Sequence, residues 1–151
     1  MVDGLNLLEV ILGRSLFQTY AGILLTDRGS EFEAPVAMET AQDGSQRAHV
    51  FYCNSMAAGQ KGSLENNHIE LRYILPKATD LRALGLTCQA ALNLALSHIN
   101  SASVESLGGR CPLEVTHFLF PALYNRLSHF GLHLIPNDEV MLKPELLKAF
   151  R

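Results

Sequence analysis

Two carboxylates in this chain have the local settings that a metal-dependent phosphoryl transfer requires. Asp27 closes the short apolar run Ile23-Leu24-Leu25-Thr26, and Glu65 opens an apolar-periodic helix 38 positions later. The run lies between Gly22 and Gly29 and reads as a buried strand. A Mg²⁺ ion prefers oxygen ligands in octahedral geometry, and one or two carboxylates hold it together with water and substrate phosphate. In a two-metal site the ions lie about 3.5–4 Å apart, one activating the attacking oxygen and the other stabilising the leaving oxygen. Two carboxylates rarely hold both ions, so a third acidic ligand is expected. Each residue also has a commoner role. Asp27 before Gly29 suits an Asx-type turn, and Glu65 suits a first-turn carboxylate stabilised by the helix dipole.

Cations flank the second carboxylate. Lys61, Arg72 and Lys77 surround Glu65 in sequence and could approach phosphates, which dominate nucleic-acid affinity. Leu64, His68, Leu71 and Leu75 recur at helical spacing and should face a core, with Pro76 ending the helix. Glu65, His68 and Arg72 then lie near one edge. A solvated basic face explains the same cations equally well.

These residues carry a resemblance. Thr26-Asp27-Arg28-Gly29-Ser30-Glu31-Phe32 resembles the second-aspartate motif, T-D-N-G-S-E-F in its usual form, of DDE-type transposases of bacterial insertion sequences, a group akin to retroviral integrases. Gly62-Ser63-Leu64-Glu65-Asn66-Asn67 resembles that family's glutamate motif. Leu75-Pro76-Lys77 with Thr79-Asp80 is similar to its L-P-K-G-T-D segment, and Asn93 through Pro112, with Ser106-Leu107-Gly108-Gly109-Arg110-Cys111-Pro112, to its S-L-G-G-K-T-P segment. Ile135-Pro136-Asn137-Asp138-Glu139-Val140 with Leu142-Lys143-Pro144 reads like a transposase tail, so the resemblance covers nearly the whole chain. Two positions depart from the pattern. Arg28 replaces the usual asparagine and sets a cation beside the aspartate, and Asn54 to Gly59 replaces an Asp-Pro-bearing stretch, which bears on substrate positioning.

The resemblance implies an α/β fold: a partial RNase H-like integrase catalytic core over residues 1–100, followed by a helical C-terminal extension over 101–151. It implies a polynucleotidyl transferase of DNA transposition and DNA integration, with metal-dependent strand cleavage and strand transfer. Asp27 and Glu65 would be the catalytic metal ligands for Mg²⁺ or Mn²⁺, and Lys61, Arg72 and Lys77 the DNA-binding cations. The partners would be transposon-end and target DNA, and a homo-oligomer or a mixed assembly with full-length transposase. The first strands of such a core and their aspartate are expected to be missing, because Asp3 alone precedes Asp27 and reads as a helix-start residue. The alternative is a non-catalytic truncated remnant that binds DNA or associates with an intact transposase.

Composition narrows the class. The 151 residues suit one domain, and 48% hydrophobic content can bury a sizeable core. The net charge of −3 leaves only a local concentration of cations at Lys61, Arg72, Lys77 and Arg82, not the basic stripe of a complete DNA-handling protein. No apolar run approaches the roughly 20 residues of a membrane span, no signal sequence is visible, and the cytoplasm is the expected compartment. Cys53, Cys88 and Cys111 are odd in number and widely spaced, which suits burial rather than disulfides or zinc. His117, His129 and His133 form no zinc-protease motif.

The elements expected around the site are these. Leu5, Leu8, Ile11, Leu12, Leu16 and Phe17 predict one amphipathic helix over about residues 4–20. Strands follow at 23–26 and 49–53, separated by a polar excursion in which Glu39 to Arg47 forms a surface loop with a turn at Asp43-Gly44. A loop at 54–62, a helix at 63–75 and a helical tail complete the order. Val115, Phe118, Leu119, Leu123, Leu127, Phe130 and Leu134 predict a helical stripe serving as core or subunit interface, and a flexible boundary is expected near Ser101 to Gly109. Without the first strands, Ile23, Leu24, Val50 and Phe51 should be partly uncovered.

Overall fold

Gly13 divides the first amphipathic stretch. Its backbone, at φ 76° and ψ 155°, is one that glycine adopts far more readily than other residues. The single helix expected over 4–20 is therefore two, α1 (Val2–Leu12) and α2 (Arg14–Ala21). Leu5, Leu12 and Phe17 are buried, as their spacing requires. These features belong to a computed structural model that describes residues 1–26, 29–53 and 69–151. The chain is mixed α/β, mostly helical with a small parallel sheet, and groups into two compact units, residues 1–60 and 61–151.

In the first unit, β1 (Ile23–Thr26) and β2 (His49–Tyr52) pair in parallel, with Ile23 opposite His49 and Thr26 opposite Tyr52. Parallel neighbours require a crossover. This one carries a 3-10 turn, Ser30–Phe32, and α3, Pro35–Glu39. The strands lie where the apolar runs put them, but β1 is not buried. Ile23 is 72% exposed and Leu25 50%, and only Thr26 of this strand is buried. Strand geometry puts Ile23, Leu25, His49 and Phe51 on one face and Leu24, Thr26, Val50 and Tyr52 on the other, more covered one.

The stretch 39–47 is not simply a surface loop. Its turn falls at Gly44, with φ 82°, and Thr40 bridges Gln46 in antiparallel fashion, yet Ala41 and Arg47 are buried. Arg47 is 1% exposed because its guanidinium finds acceptors on every side. Nε donates to the Met38 carbonyl at 2.8 Å and Nη2 to the Ala37 carbonyl at 3.0 Å. Nη1 donates to Asn6 Oδ1 at 2.6 Å and meets Glu9 at 3.4 Å. Arginine's planar fork suits such a site, where one cation ties α1 to the end of α3.

In the second unit, residues 69–74 are helical, here α4, and the helix stops before Pro76 as expected. Then come α5 (Leu81–Leu84), α6 (Gln89–Ser101), a 3-10 turn (Glu105–Leu107), α7 (Pro112–Leu119), α8 (Pro121–Phe130) and a 3-10 helix (Pro144–Phe150). The core consists of Ile74, Ala91, Ala95, Ile99 and Leu147. Leu71 and Leu75 pack against it half-buried, so the buried position of α4 is Ile74 rather than the two expected leucines. Leu64 and His68 lie outside the described residues.

The expected C-terminal stripe is also broken. Pro121 restarts the helix, because proline is favoured at a first helical turn and excluded from an interior. The stripe residues part company there. Phe118 is 81% exposed, and Leu119 and Leu134 are exposed as well, while Val115, Leu123 and Leu127 are half-buried. Of the cysteines, only Cys111 is buried; Cys53 is half-buried and Cys88 exposed, which corrects the expectation for the latter two. No helix among the described residues is long and apolar enough to cross a membrane.

Candidate functional site

β1 and β2 end side by side. Thr26 and Tyr52, their last residues, are register partners, and the Cys53 amide donates to the Thr26 carbonyl at 2.7 Å, so the ladder holds to its carboxyl end. Asp27 follows Thr26 in sequence, and ligand groups of open α/β sheets gather outside the carboxyl ends of the strands. The chain returns beyond Arg28 as a closed turn, with the Phe32 amide donating to the Gly29 carbonyl at 2.9 Å. Tyr52 Oη donates to the Phe32 carbonyl at 2.6 Å and ties that turn to β2.

Asp27, Lys61 and Glu65 lie outside the described residues, as do Arg28, the loop 54–62 and His68. Arg72 and Lys77 are described, and both are exposed, Arg72 on α4 and Lys77 just beyond Pro76. Arg82 is exposed on α5. Cations so placed can reach a polyanion without first being drawn out of a low-dielectric interior. Among the described residues, no group of three or more His, Cys, Asp or Glu side chains is placed to hold a metal ion. The histidines of the C-terminal region have ordinary neighbours: His117 stacks on Tyr124 with centroids 4.3 Å apart, and His129 Nδ1 lies 2.7 Å from the Asn125 carbonyl.

A cavity of about 470 Å³ lies in the first unit, lined by Gln18, Tyr20, Ile23, Gln46 and His49 among others. Ile23 and His49 begin their strands, so this cavity sits at the amino end of the sheet, away from Thr26. Position therefore argues against it as the site of the expected chemistry. In the second unit, a cavity of about 300 Å³ is lined by Ser101, Cys111, Glu114, Ile135 and Asn137.

Cys111 does not supply a nucleophile to that second cavity. It is the N-cap of α7: its Sγ accepts the Glu114 amide at 3.4 Å, while Glu114 Oε2 accepts the Cys111 amide at 2.9 Å. The sequence signals for this cap are Pro112 at the first helical position and Glu114 at the third, which cysteine in the capping position masks because it is not a usual cap residue. Burial pushes the Cys111 thiol up, although the amide hydrogen bond opposes it. The Cys111 amide in turn holds the Glu114 carboxyl below its ordinary value. A thiol shifted this way stays protonated at neutral pH, and the thiolate is the reactive form.

Compared with protein-family models, with curated proteins and with solved structures, the chain matches none.

Proposed function

We propose that this chain is part of a transposase of the DDE type, acting in DNA transposition and DNA integration through metal-dependent strand cleavage and strand transfer. The observation that carries the reading is the order of its segments: the Asp27 motif, the Glu65 motif, Leu75-Pro76-Lys77 and Ser106 to Pro112 occur in the family's sequence. Support also comes from the parallel β1–β2 pair with a helix in its crossover and Asp27 next to the buried end of β1. On this reading β1, α3 and β2 belong to an RNase H-like core.

Asp27 and Glu65 would hold Mg²⁺ or Mn²⁺, since carboxylate oxygens are the donors those ions take. The ion would polarise a phosphate and activate the attacking oxygen. Lys61, Arg72 and Lys77 would neutralise phosphates of transposon-end and target DNA. A second reading, a truncated remnant that binds DNA or joins an intact transposase without cutting, is favoured by Arg28. That cation follows Asp27 directly in sequence and would compete with the metal.

Mn²⁺ binding tests the first reading, measured by electron paramagnetic resonance on the purified chain and on Asp27→Asn and Glu65→Gln. The expected outcome is a site lost in both variants. Equal binding in all three proteins would sink the metal assignment. Cleavage assays on insertion-sequence ends ask whether the chain suffices by itself. The chain alone is expected to cut little or not at all, because two carboxylates leave the charge stabilisation of two ions incomplete. Robust Mg²⁺-dependent cleavage abolished by Asp27→Asn would show instead that the set is sufficient.

A further inference from the structure

The face of α6 that turns inward is unusually polar. Asn93, Ser97, His98 and Ser101 are all buried, three of them at four-residue spacing on one side of the helix. Each reaches the last residue of α8 or the segment that follows it. Asn93 Nδ2 donates to the Phe130 carbonyl at 2.7 Å. Ser97 Oγ accepts the His133 amide and Ser101 Oγ accepts the Ile135 amide, both at 3.0 Å. His98 Nδ1 lies 3.0 Å from the Met141 amide nitrogen. Residues 131–141 have no regular helix or strand, so these side chains take the place of a ladder. Gly131 starts the strap at φ 104°, where a Cβ would come within 2.8 Å of Asn93 Nδ2. Beyond Met141, Leu142, Leu146, Leu147 and Phe150 pack into the core of this unit.

A backbone N–H can only donate, so Nδ1 of His98 must offer its lone pair, and the ring is neutral with its proton on Nε2. We propose that His98 is a proton-operated latch for this strap, holding Met141 as the neutral imidazole and releasing it as the imidazolium. Once Nδ1 carries a proton, two donors face each other and the Met141 amide loses its acceptor. Asn93, Ser97 and Ser101 do not titrate, so the change is confined to the Met141 end of the strap.

α6 carries no second ionisable side chain. The ionisable groups on its packed neighbours include Glu114 and His117 on α7 and Glu145 and Lys148 on the terminal 3-10 helix, and the strap adds His133, Asp138 and Glu139. Of these, Glu139 is the one whose charge acts on the ring. Burial lowers the proton affinity of His98 below its ordinary value of 6.5, and the Glu139 carboxylate opposes that shift. A histidine depressed in the folded state leaves stability whole above its unfolded value and removes it as pH falls below that value, until the folded ring itself takes a proton. The latch is thus closed above about pH 6.5 and weakens below it.

Amide hydrogen exchange read by NMR between about pH 7.5 and about pH 5, across the histidine range, tests the latch after correction for intrinsic exchange. Protection at Met141 is expected to fall about tenfold or more, the scale of one lost hydrogen bond at this part-buried amide, while amides inside α6 such as Ala95 hold. His98→Gln keeps an acceptor oxygen and does not titrate, so its profile should be flat. A flat profile in the unaltered chain, or an equally steep one in His98→Gln, overturns the proposal. Should the variant fail to fold, the His98 ring titration in the unaltered chain decides: a midpoint shared with the Met141 amide supports the latch, and separate midpoints refute it.

Discussion

The Glu39 carboxylate accepts the Val50 amide at 2.8 Å, and this bond occupies a donor on the outer edge of β2. Along a parallel strand, alternate residues turn their amides to opposite sides. The His49 and Cys53 amides run to the Gly22 and Thr26 carbonyls, so the Val50 amide points away from β1. Left alone it would be open to a foreign strand. Glu39 is placed to meet it because it ends α3 and because its own carbonyl accepts the Arg47 amide at 2.7 Å.

Glu39→Ala should therefore leave the Val50 amide without an acceptor, at a cost of about 1–3 kcal/mol in chemical denaturation. Glu39→Gln keeps an acceptor oxygen and should lose less than half as much. Equal losses in the two variants would mean that Glu39 acts through its charge and not through this bond.

Removing the cation of Arg47 should be among the most damaging single changes in the first unit. Arg47→Met strands the Met38 and Ala37 carbonyls together with Asn6 and Glu9. Breaking a buried charged group from its partners typically costs about 3–5 kcal/mol. Arg14 offers the contrast: it pairs with Asp43, whose side chain is 64% exposed, where solvent screens an ion pair and leaves it little weight. A denaturation midpoint for Arg47→Met as close to that of the unaltered chain as Arg14→Met's would refute the comparison.

Asp43 should titrate far below an ordinary aspartate, at about 2. The Ser45 hydroxyl and amide both donate to its carboxylate, and Arg14 adds a charged hydrogen bond. Because the folded value lies below the ordinary 3.8, the stability linked to this group is present above that value and is lost as pH falls toward about 2. Ser45→Ala should move the midpoint up toward the ordinary value, which side-chain carboxyl NMR can follow directly.

Local signals accounted for the strands, the Asp43-Gly44 turn and the stop at Pro76, because each is set by neighbours in sequence. Gly13 and Pro121 were just as local, but apolar periodicity ran through both and masked the breaks. Arg47 was unreadable for another reason. Its acceptors on α1 stand 41 and 38 positions away, so a polar stretch gave no sign of a buried charge. The His98 contact spans 43 positions and was equally hidden. Of the residues singled out for chemistry, the strand ends at Thr26 where the apolar run put it, and Arg72 and Lys77 are exposed in the second unit.

The open edge of β1 leads to the last prediction. If the Val50 amide points outward from β2, the amides and carbonyls of Ile23 and Leu25 point outward from β1, and among the described residues no backbone partner meets them. β1 carries no lysine, proline or bulge to discourage pairing, the devices by which edges are normally protected. Ile23, Leu25 and Phe51 add an exposed apolar face beside that edge, a feature that marks association surfaces. The chain alone is therefore expected to self-associate at about ten to a hundred micromolar, where exposed strand edges drive aggregation, as read by light scattering. Leu25→Lys, which puts a charge on the exposed face, should shift it toward monomer, whereas Glu39→Ala, which opens the second edge, should enlarge the assemblies. On the proposed function, the natural occupant would be an intact transposase, co-purifying with the unaltered chain and less with Leu25→Lys. A monomer at that concentration whose state neither substitution changes would show that the edge is closed by means other than pairing.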